Sequence, residues 1–442
     1  MSDTGSAPPT RSRVWLVAAA AVAFAAAAAR VHNAFTFPPL HDPDGAGHVL
    51  NVFAFREGGL PSPTSWSGFH PPLYHAMGAL LWIAAPEAVP VHAMLRLLSA
   101  AAGFAAVGAI WGALRRLVPA ADAAVVAAFV LGVPVFAITT STLGNETTGM
   151  LFVSLVLARL MRVADLDRGG ARHALGTAAL LALALLSKAT GLVAAAVAVA
   201  TYALHGRRQP RRALACALLV GIIPVALAAP HYLRIAAASR GEPLAFVSGA
   251  GLSPDLAMVM ARQPPGERSL LDYGYFPIAA LVAPNYQVSG MVHSVPGLFY
   301  ASVWADAHDV FLGPVFSRAL LAEGPVSSRV LGAQAASTLL GLLPTGLAIL
   351  GAVRLARRRD PRVFAPLLFG ALLLASALRY TWILPQYSAV KASYLLPAAL
   401  PACLALAAGL EPFGPRARAG LRTILLALSV FGTALTWYAC WH

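Results

Sequence analysis

The sequence predicts an all-α polytopic membrane protein, a bundle of about eleven transmembrane helices with two long external loops. Three observations predict this fold class: 58% of the 442 residues are hydrophobic, only 11% are charged, and apolar stretches of membrane-helix length recur along the chain. A soluble domain carries about 25% charged and about 45–50% apolar residues. The composition therefore excludes a soluble globular domain, a disordered chain and a disulfide-rich secreted domain.

The candidate spans are the stretches that approach the roughly 20 apolar residues needed to cross the hydrocarbon core. We expect the first to be a membrane helix and not a signal peptide, because its apolar run is long and ten more spans follow. The fifth and sixth are short and are separated by the polar group around Lys188. The eleven spans lie at about residues 14–29, 97–114, 123–138, 147–160, 175–186, 191–204, 213–229, 330–354, 364–378, 395–410 and 424–441.

The formal net charge of +14 predicts the orientation of the helices. Lys and Arg concentrate in the short cytoplasmic loops of membrane proteins. If the N-terminus is cytoplasmic, the inner loops carry 20 basic and six acidic residues, and the outer segments are neutral. We therefore expect a cytoplasmic N-terminus, an extracytoplasmic C-terminus and no nucleic-acid partner.

Two outer loops are long, residues 31–93 and 231–329, whereas the inner loops are short connectors. Loops longer than about 15 residues are usually functional or disordered, and these two are rich in Trp, Phe and Tyr. We expect ordered segments there, including helices that lie on the membrane surface. The sequence thus predicts a single integral-membrane domain over residues 1–442, with its chemistry on the extracytoplasmic face.

Asp44 and His48, in the first external loop, are the first candidates for chemistry. They are four residues apart, so a helix that begins at Asp44 places both on one face. A carboxylate beside an imidazole suits a general base or part of a metal site. The alternative is that Asp44 only caps the helix and His48 packs beneath the loop. His41 and Asp42 are rivals for the same role.

The motif HPPLYH, residues 70–75, follows in the same loop and contains His70 and Tyr74. Its two prolines favour a rigid turn at the start of a helix, and the alternative is direct contact of His70 and Tyr74 with a substrate. Asn145 and Glu146 come next, at the outer ends of the third and fourth spans. A carboxylate at membrane depth is costly and often functional, but Glu146 also suits the N-terminus of a helix through the helix dipole.

Three cations are expected at one outer depth: Lys188 between the fifth and sixth spans, Arg234 after the seventh and Lys391 before the tenth. The first and last are the two lysines of the chain, and Arg240 and Arg379 lie nearby in the sequence. Together these cations suggest a site for a phosphate or pyrophosphate. The alternative is that each side chain snorkels to the membrane surface.

The second external loop contains Trp304, Asp306, His308 and Asp309. These residues suit a donor or acceptor pocket, and alternating Asp and His can also bind a metal. An interfacial aromatic belt explains the tryptophan equally well. The three cysteines of the chain fall in apolar stretches and predict neither a disulfide framework nor a metal cluster.

The order of these motifs resembles the GT-C superfamily of polyprenyl-phosphate-sugar-dependent glycosyltransferases. That superfamily includes the protein mannosyltransferase-like family (glycosyltransferase family 39) and the aminoarabinose transferase that modifies lipid A. The resemblance extends to about Leu410 and rests on six features in sequence. These are the acidic motif after the first span, HPPLYH before the second, Asn145-Glu146 at the fourth, Lys188 between the fifth and sixth, Arg234 after the seventh, and VKASYLLPAALP at the tenth.

The resemblance implies an inverting transfer, hexosyl or pentosyl, from a polyprenyl-phosphate sugar to an acceptor hydroxyl at the outer face of a bacterial plasma membrane, in the synthesis of the cell envelope. It implies that Asp44 is the carboxylate of the first loop that deprotonates the acceptor hydroxyl. It also implies that the lipid phosphate is held by Lys188, Arg234 and Lys391, joined by the hydroxyl of Tyr394. Glycan, lipid and protein acceptors all fit, membrane lipid surrounds the chain, and the superfamily contains members with and without a divalent metal.

The sequence departs from the superfamily at one position. Many members have Asp-Glu in the first loop, where this chain has Asp44-Gly45. His48 compensates for the absent carboxylate, or the acceptor is held differently. Two other functions are compatible with the sequence: a transporter or lipid-handling protein without catalysis, and a scaffold that kept the fold and lost activity. Against a transporter, the ionisable residues cluster toward one face and the sequence contains no internal repeat.

Overall fold

The computed structural model of the chain describes residues 9–42, 44–86, 88–205, 209–242, 262–288, 290–311 and 327–437, together with residues 245, 249, 252 and 258. Every regular element in these ranges is helical. The α-helices, numbered in chain order, are α1 Pro9–Thr36, α2 Gly45–Arg56, α3 Leu73–Ala84, α4 Val91–Leu114, α5 Ala120–Gly132, α6 Pro134–Thr139, α7 Glu146–Leu160, α8 Val163–Ser187, α9 Gly191–His205, α10 Pro210–Ala238, α11 Leu271–Gly274, α12 Ala279–Val282, α13 Val295–Trp304, α14 Ser328–Arg358, α15 Pro361–Ile383, α16 Ala399–Leu410 and α17 Pro415–Leu435.

The predicted all-helical membrane fold is confirmed. Eight described helical stretches are long and apolar enough to cross a membrane. Seven lie within single α-helices, and the eighth is Tyr387–Leu410, in which 3₁₀ turns precede α16. All eleven predicted stretches contain helix. The fourth and sixth, α7 and α9, have 15 residues each, about the predicted length and short of the roughly 20 residues of a full span, whereas the third contains α5 of only 13 residues. The last predicted span ends at Leu435 and not near residue 441, and residues 438–442 lie outside the described part of the chain.

The third predicted span is broken because Pro134 interrupts it. A proline lacks the N–H that would continue the helical ladder, so α5 ends at Gly132 and α6 begins at Pro134. Arg30 of α1 is fully buried beside this break and donates hydrogen bonds to the Leu131 carbonyl and to the Thr140 hydroxyl. The buried guanidinium thereby satisfies a carbonyl oxygen that the interrupted helix exposes.

Small residues set two of the closest helix crossings. A Cβ at Gly132 of α5 would lie 2.1 Å from the Ser429 carbonyl oxygen of α17. A Cβ at Gly351 of α14 would likewise collide with the backbone of α16, and one at Gly409 of α16 with that of α14. Membrane helices pack by close backbone approach at small residues rather than by the hydrophobic effect.

Ion pairs join the helix ends that the sequence assigns to the cytoplasmic face. Asp122 at the start of α5 pairs with Arg422 of α17 at 2.7 Å, and Glu411 at the end of α16 pairs with Arg358 of α14. These acids are therefore neutralised locally by the inner arginines. The direction of the bundle relative to the cytoplasm stays a prediction.

The second external loop contains short helices with strongly exposed apolar side chains. Leu270, Leu271 and Ile278 are 76–80% exposed in and beside α11 and α12. Such exposure is typical of segments that face lipid, as the sequence predicts for this loop. Most of residues 243–261 and all of 312–326, which belong to the same predicted loop, lie outside the described residues.

Arg96 of α4 anchors the first external loop. Its side chain is fully buried and contacts both carboxylate oxygens of Asp42, at 2.5 Å for the shorter pair. It also donates to the carbonyls of Ala34 and Phe37 at the end of α1. The Asp42 carboxylate receives a further hydrogen bond from the Leu143 amide. One guanidinium therefore ties together α1, the first loop and α4.

Arg96→Met should destabilise the protein strongly, because it leaves the Asp42 charge buried without its partner. Breaking a buried ion pair from one side costs about 3–5 kcal/mol. Thermal unfolding in detergent should show a large fall in midpoint, whereas the exposed Arg416→Met should unfold like the parent. A midpoint for Arg96→Met equal to that of Arg416→Met would contradict the anchoring role.

Candidate functional site

A cavity of about 620 Å³ lies between the first external loop, α7, the junction of α8 and α9, α15 and the segment before α16. It brings together most of the residues that the sequence predicts for chemistry, although these lie as far apart as the first loop and the tenth predicted span. The predicted residues that line it are Asp44, His48, His70, Glu146, Lys188, Asp306, His308, Lys391 and Tyr394. Tyr74, Asn145, Arg234 and Trp304 are not among its lining residues.

Asp44 is the acid of the first loop that faces the cavity. It precedes α2 with a left-handed backbone, φ 56°, and its side chain makes no hydrogen bond to the helix N-terminus. Its Oδ1 accepts a hydrogen bond of 2.5 Å from the indole N–H of Trp66. The carboxylate thus has a neutral donor, and it forms no ion pair with a described residue. Its rival Asp42 is buried against Arg96 instead.

Gly47 allows the Trp66 segment to approach α2 so closely. A Cβ at Gly47 would lie 2.4 Å from the Ser67 hydroxyl oxygen. Gly45 is equally constrained, because a Cβ there would lie 2.6 Å from Cβ of Asp42. The absence of a glutamate after Asp44 therefore has a steric reason: position 45 points at the buried Asp42 and does not line the cavity.

Three imidazoles stack beside Asp44. His48 on α2 lies between His70 and His75, with ring centroids 5.2 Å from each. Its Nδ1 is 2.9 Å from Nε2 of His75. Burial lowers the pKa of His48, partly offset by the charges of Asp44 and Glu146, and burial beside His48 lowers the pKa of His70 to about 3. The stack is therefore neutral at physiological pH.

Glu146 and Lys188, predicted separately, form one ion pair. Lys188 Nζ lies 2.6 Å from Glu146 Oε1 and 5.2 Å from the ring centre of Tyr394. Burial raises the pKa of Glu146, but the charge and hydrogen bond of Lys188 outweigh that effect and lower it to about 2. A Cβ at Gly149 would lie 3.1 Å from Cβ of Lys188, so the glycine leaves room for the lysine against α7. Each predicted charge is thus compensated by the other.

Lys391 is the lysine of the cavity without such a partner. It immediately precedes the 3₁₀ turn Ala392–Ala398, and it forms no ion pair with any residue in the described ranges. Arg379 also lines the cavity from α15. Because Lys188 is bound to Glu146, Lys391 and Arg379 supply the net positive charge of this wall.

Asp306 and His308 also line the cavity but have structural partners. Asp306 accepts hydrogen bonds from the amides of Val310 and Phe311 and so holds a turn. His308 lies parallel to Tyr387, 6.1 Å between ring centres. Burial lowers the pKa of His308 to about 3, with a smaller contribution from Lys391. The pocket role predicted for both residues stays a prediction.

The other predicted residues make contacts within the scaffold. Tyr74 donates to the Leu95 carbonyl, and Asn145 donates to the Ser187 carbonyl at the end of α8. Because Lys188 directly follows Ser187, this hydrogen bond helps to position Lys188.

Arg234 donates to the Pro61 carbonyl of the first loop at 2.8 Å, and the Trp304 ring covers Gly341 and donates to Thr345. The phosphate-binding role predicted for Arg234 stays a prediction.

Trp66 is the site residue that sequence reasoning missed. It stands in a Ser-rich stretch with no motif spacing relative to Asp44, 22 residues earlier. The described residues contain no group of three or more His, Cys, Asp or Glu side chains arranged to hold a metal ion. Of the acids in and near the cavity, Glu146 forms an ion pair with Lys188 and Asp42 with Arg96. Cys216 and Cys403 are buried as free thiols, and Cys440 lies outside the described residues.

Residues 70–233 match the family model described as dolichyl-phosphate-mannose-protein mannosyltransferase. The fold is similar to that of ArnT from Cupriavidus metallidurans in the apo state, with a TM-score of 0.53 and 17% identity over 93% of this chain and 62% of that one. ArnT bound to undecaprenyl phosphate matches with a TM-score of 0.51 and 15% identity, over 94% of this chain and 63% of that one. The oligosaccharyltransferase of Archaeoglobus fulgidus, tethered to an acceptor peptide, matches with a TM-score of 0.53 and 13% identity, over 95% of this chain and 55% of that one.

The predicted resemblance to the GT-C superfamily is confirmed. The GT-C fold extends over nearly the whole chain, whereas the family model covers residues 70–233, from HPPLYH into α10. The chain spans about 55–63% of the length of these solved GT-C structures. No curated protein sequence matches it.

The neutral His70 predicts a pH dependence of stability. Its pKa is about 3 when folded and about 6.5 when unfolded, so the unfolded chain binds more protons between these values. Stability should therefore fall as the pH is lowered from 7 toward 4. The unfolding midpoint in detergent should fall less steeply over this range in His70→Gln, whereas the exposed His293→Gln should follow the parent. Identical slopes for the parent and His70→Gln would contradict the buried neutral state.

Proposed function

We propose that this chain is an inverting glycosyltransferase, which moves a sugar from a polyprenyl-phosphate donor to an acceptor hydroxyl on the extracytoplasmic face of the membrane. The observation that carries the proposal is one cavity with a carboxylate free of ion pairs, Asp44, and a lysine free of ion pairs, Lys391. The GT-C fold supports the reaction class. The undecaprenyl phosphate bound to ArnT and the dolichyl-phosphate-mannose family support the donor class.

Asp44 is suited to accept the proton of the acceptor hydroxyl. As the hydroxyl oxygen bonds to the anomeric carbon, its proton passes to the Asp44 carboxylate and the bond from that carbon to the phosphate oxygen breaks. Attack from the face opposite the leaving phosphate inverts the anomeric configuration. A general base contributes about 10²–10⁴-fold to such a step. The indole N–H of Trp66 on Oδ1 fixes the carboxylate orientation and leaves Oδ2 for the substrate.

Lys391 and Arg379 are suited to stabilise the phosphate as it leaves. Negative charge grows on the phosphate oxygen while the glycosidic bond breaks, and fixed cations there lower the barrier. Lys188 adds a donor that Glu146 holds in place and that the Tyr394 ring faces. Because Glu146 already balances Lys188, the wall retains the charge of Lys391 and Arg379 for the phosphate.

The apolar part of the cavity suits the polyprenyl chain. It is formed by side chains of α6, α9 and α15 that continue into the membrane-spanning part of the bundle. These side chains are Val135, Ile138, Leu192, Val193, Leu373, Ala377 and Ile383. A lipid-linked donor is already confined to the bilayer, so part of the entropy cost of positioning is met before it binds. The acceptor is a hydroxyl of a glycan, lipid or protein of the cell envelope.

Asp44→Asn should slow transfer strongly while the protein stays folded. The amide keeps the shape of the carboxylate and its bond to Trp66 but accepts a proton far more weakly, so the rate should fall by about 10²-fold or more. The assay is release of polyprenyl phosphate from synthetic polyprenyl-phosphate sugars by the purified protein in nanodiscs, with an envelope extract as acceptor. Full activity in the folded variant rules out Asp44 as the base. Movement of the intact donor across the bilayer without release indicates lipid transport instead.

Lys391→Met should weaken binding of polyprenyl phosphate by about 10-fold or more, because a charge-assisted hydrogen bond contributes about 1.5–3 kcal/mol. Titration of the purified protein with undecaprenyl phosphate, followed by native mass spectrometry, measures the change. Arg329→Met, at an exposed arginine outside the cavity, is the matched control. Equal affinities for the two variants would remove Lys391 from the phosphate site.

A further inference from the structure

A hydrogen-bonded chain behind the cavity wall has no role in the mechanism above. It consists of Asn51, His75 and His48, which are all buried. The amide nitrogen of Asn51 lies 2.7 Å from the Ser67 carbonyl oxygen and 3.5 Å from Nε2 of His75. The same Nε2 lies 2.9 Å from Nδ1 of His48. Gly47 makes the first of these bonds possible by letting the Ser67 segment lie against α2.

The donors and acceptors of this chain fix the protonation of each ring. The Ser67 carbonyl only accepts, so the Asn51 atom that faces it is the NH₂ group. That same NH₂ group faces His75 Nε2, which is therefore an acceptor and carries no proton. The proton of the 2.9 Å bond then belongs to Nδ1 of His48. A neutral imidazole carries one proton, so Nε2 of His48 has a free lone pair.

His48 is in position to use that lone pair. It lines the cavity, and because Nδ1 is bound to His75, Nε2 is the ring nitrogen that remains for a ligand. His48 begins the second turn after Asp44, and its amide bonds to the Asp44 carbonyl at 3.0 Å. Burial keeps the ring neutral by lowering its pKa. The titratable groups around it are Asp44, His70, Tyr74, His75, Glu146 and Lys188.

We propose that Asn51 and His75 are positioning residues that hold His48 as its Nδ1–H tautomer, and that Nε2 of His48 accepts a hydrogen bond from the acceptor substrate alongside Asp44. The proposal rests on the proposed glycosyl transfer and deepens it. It assigns a second acceptor atom to the cavity, one helical turn from the first, in a chain that has glycine after Asp44. The group it recognises is an O–H or N–H donor on the acceptor substrate next to the hydroxyl that reacts.

Two substitutions of His75 separate hydrogen bonding from packing. His75→Gln offers an amide oxygen that accepts the Nδ1–H of His48 but removes the stacked ring. His75→Phe keeps a stacked ring but removes the acceptor. If His75 acts through the hydrogen bond, Gln should preserve the tautomer and Phe should lose it. If His75 only fills space, Phe should be the better replacement.

The first measurement is ¹⁵N NMR of the full chain labelled at histidine, in detergent, with His48→Gln used to assign the resonances. We expect an unprotonated Nε2 and a protonated Nδ1 at His48 in the parent and in His75→Gln, and a mixture of tautomers in His75→Phe. A protonated Nε2 in the parent, or an unchanged spectrum in His75→Phe, overturns the proposal. This readout does not depend on any substrate.

The second measurement is release of polyprenyl phosphate as the acceptor concentration is varied. We expect kcat/KM for the acceptor to fall about 10-fold in His75→Phe, the effect of one misplaced hydrogen bond. The value should return to within about 3-fold of the parent in His75→Gln, with the donor KM unchanged in both. Equal kcat/KM for the two variants overturns the role of Nε2. If the parent releases no polyprenyl phosphate from any donor, the proposed function fails, and the NMR spectra alone decide whether the tautomer is held.

Discussion

The position of the candidate base depends on the buried ion pair between Arg96 and Asp42. A charge inside a helical bundle needs a partner, because desolvation is costly and water cannot compensate for it. Arg96 meets this requirement with Asp42 and with two carbonyls at the end of α1. The chain then turns through the left-handed residue Asp44 into α2. The ion pair thus gives Asp42 a structural role and leaves Asp44 as the acid of the first loop that lines the cavity.

The same principle separates structural from functional charges in the rest of the cavity. The charge of Glu146 is balanced by Lys188, and Asp306 accepts hydrogen bonds from two backbone amides. Among the described lining residues, Asp44, Lys391 and Arg379 form no ion pair. Leaving ionised groups uncompensated in a partly apolar cavity costs stability, and proteins retain such groups mainly where they act on a ligand. The charged side chains that the fold leaves without a partner are therefore the ones that we expect to contact the substrate.

Local sequence patterns predicted the features that depend on neighbouring residues, namely the helices and the spacing of residues within them. Apolar runs gave the helices, and the spacing of four placed Asp44 and His48 on adjacent turns, because the periodicity of a helix depends only on neighbouring residues. The pairing of Glu146 with Lys188, 42 positions apart, could not be read from the sequence, since it depends on how α7 packs on α8. For the same reason the contact of Arg234 with Pro61 and that of Trp66 with Asp44 carried no sequence signal. The break at Pro134 was visible as a proline, but the length of each fragment was not.

The glycine after Asp44 follows from these constraints. Position 45 faces Cβ of Asp42 at a distance that leaves no space for a side chain. A chain that commits Asp42 to Arg96 therefore cannot also place a glutamate at position 45 without moving one of the two. Any second polar group from α2 must come from a position whose side chain faces the cavity, and His48, one turn later, does so. Whether His48 can accept a hydrogen bond there depends on its neighbours. An imidazole is an acceptor toward the cavity only while its other nitrogen keeps the proton. The buried contacts of His75 and Asn51 provide that condition, so the chemistry of the cavity extends to side chains that no substrate touches.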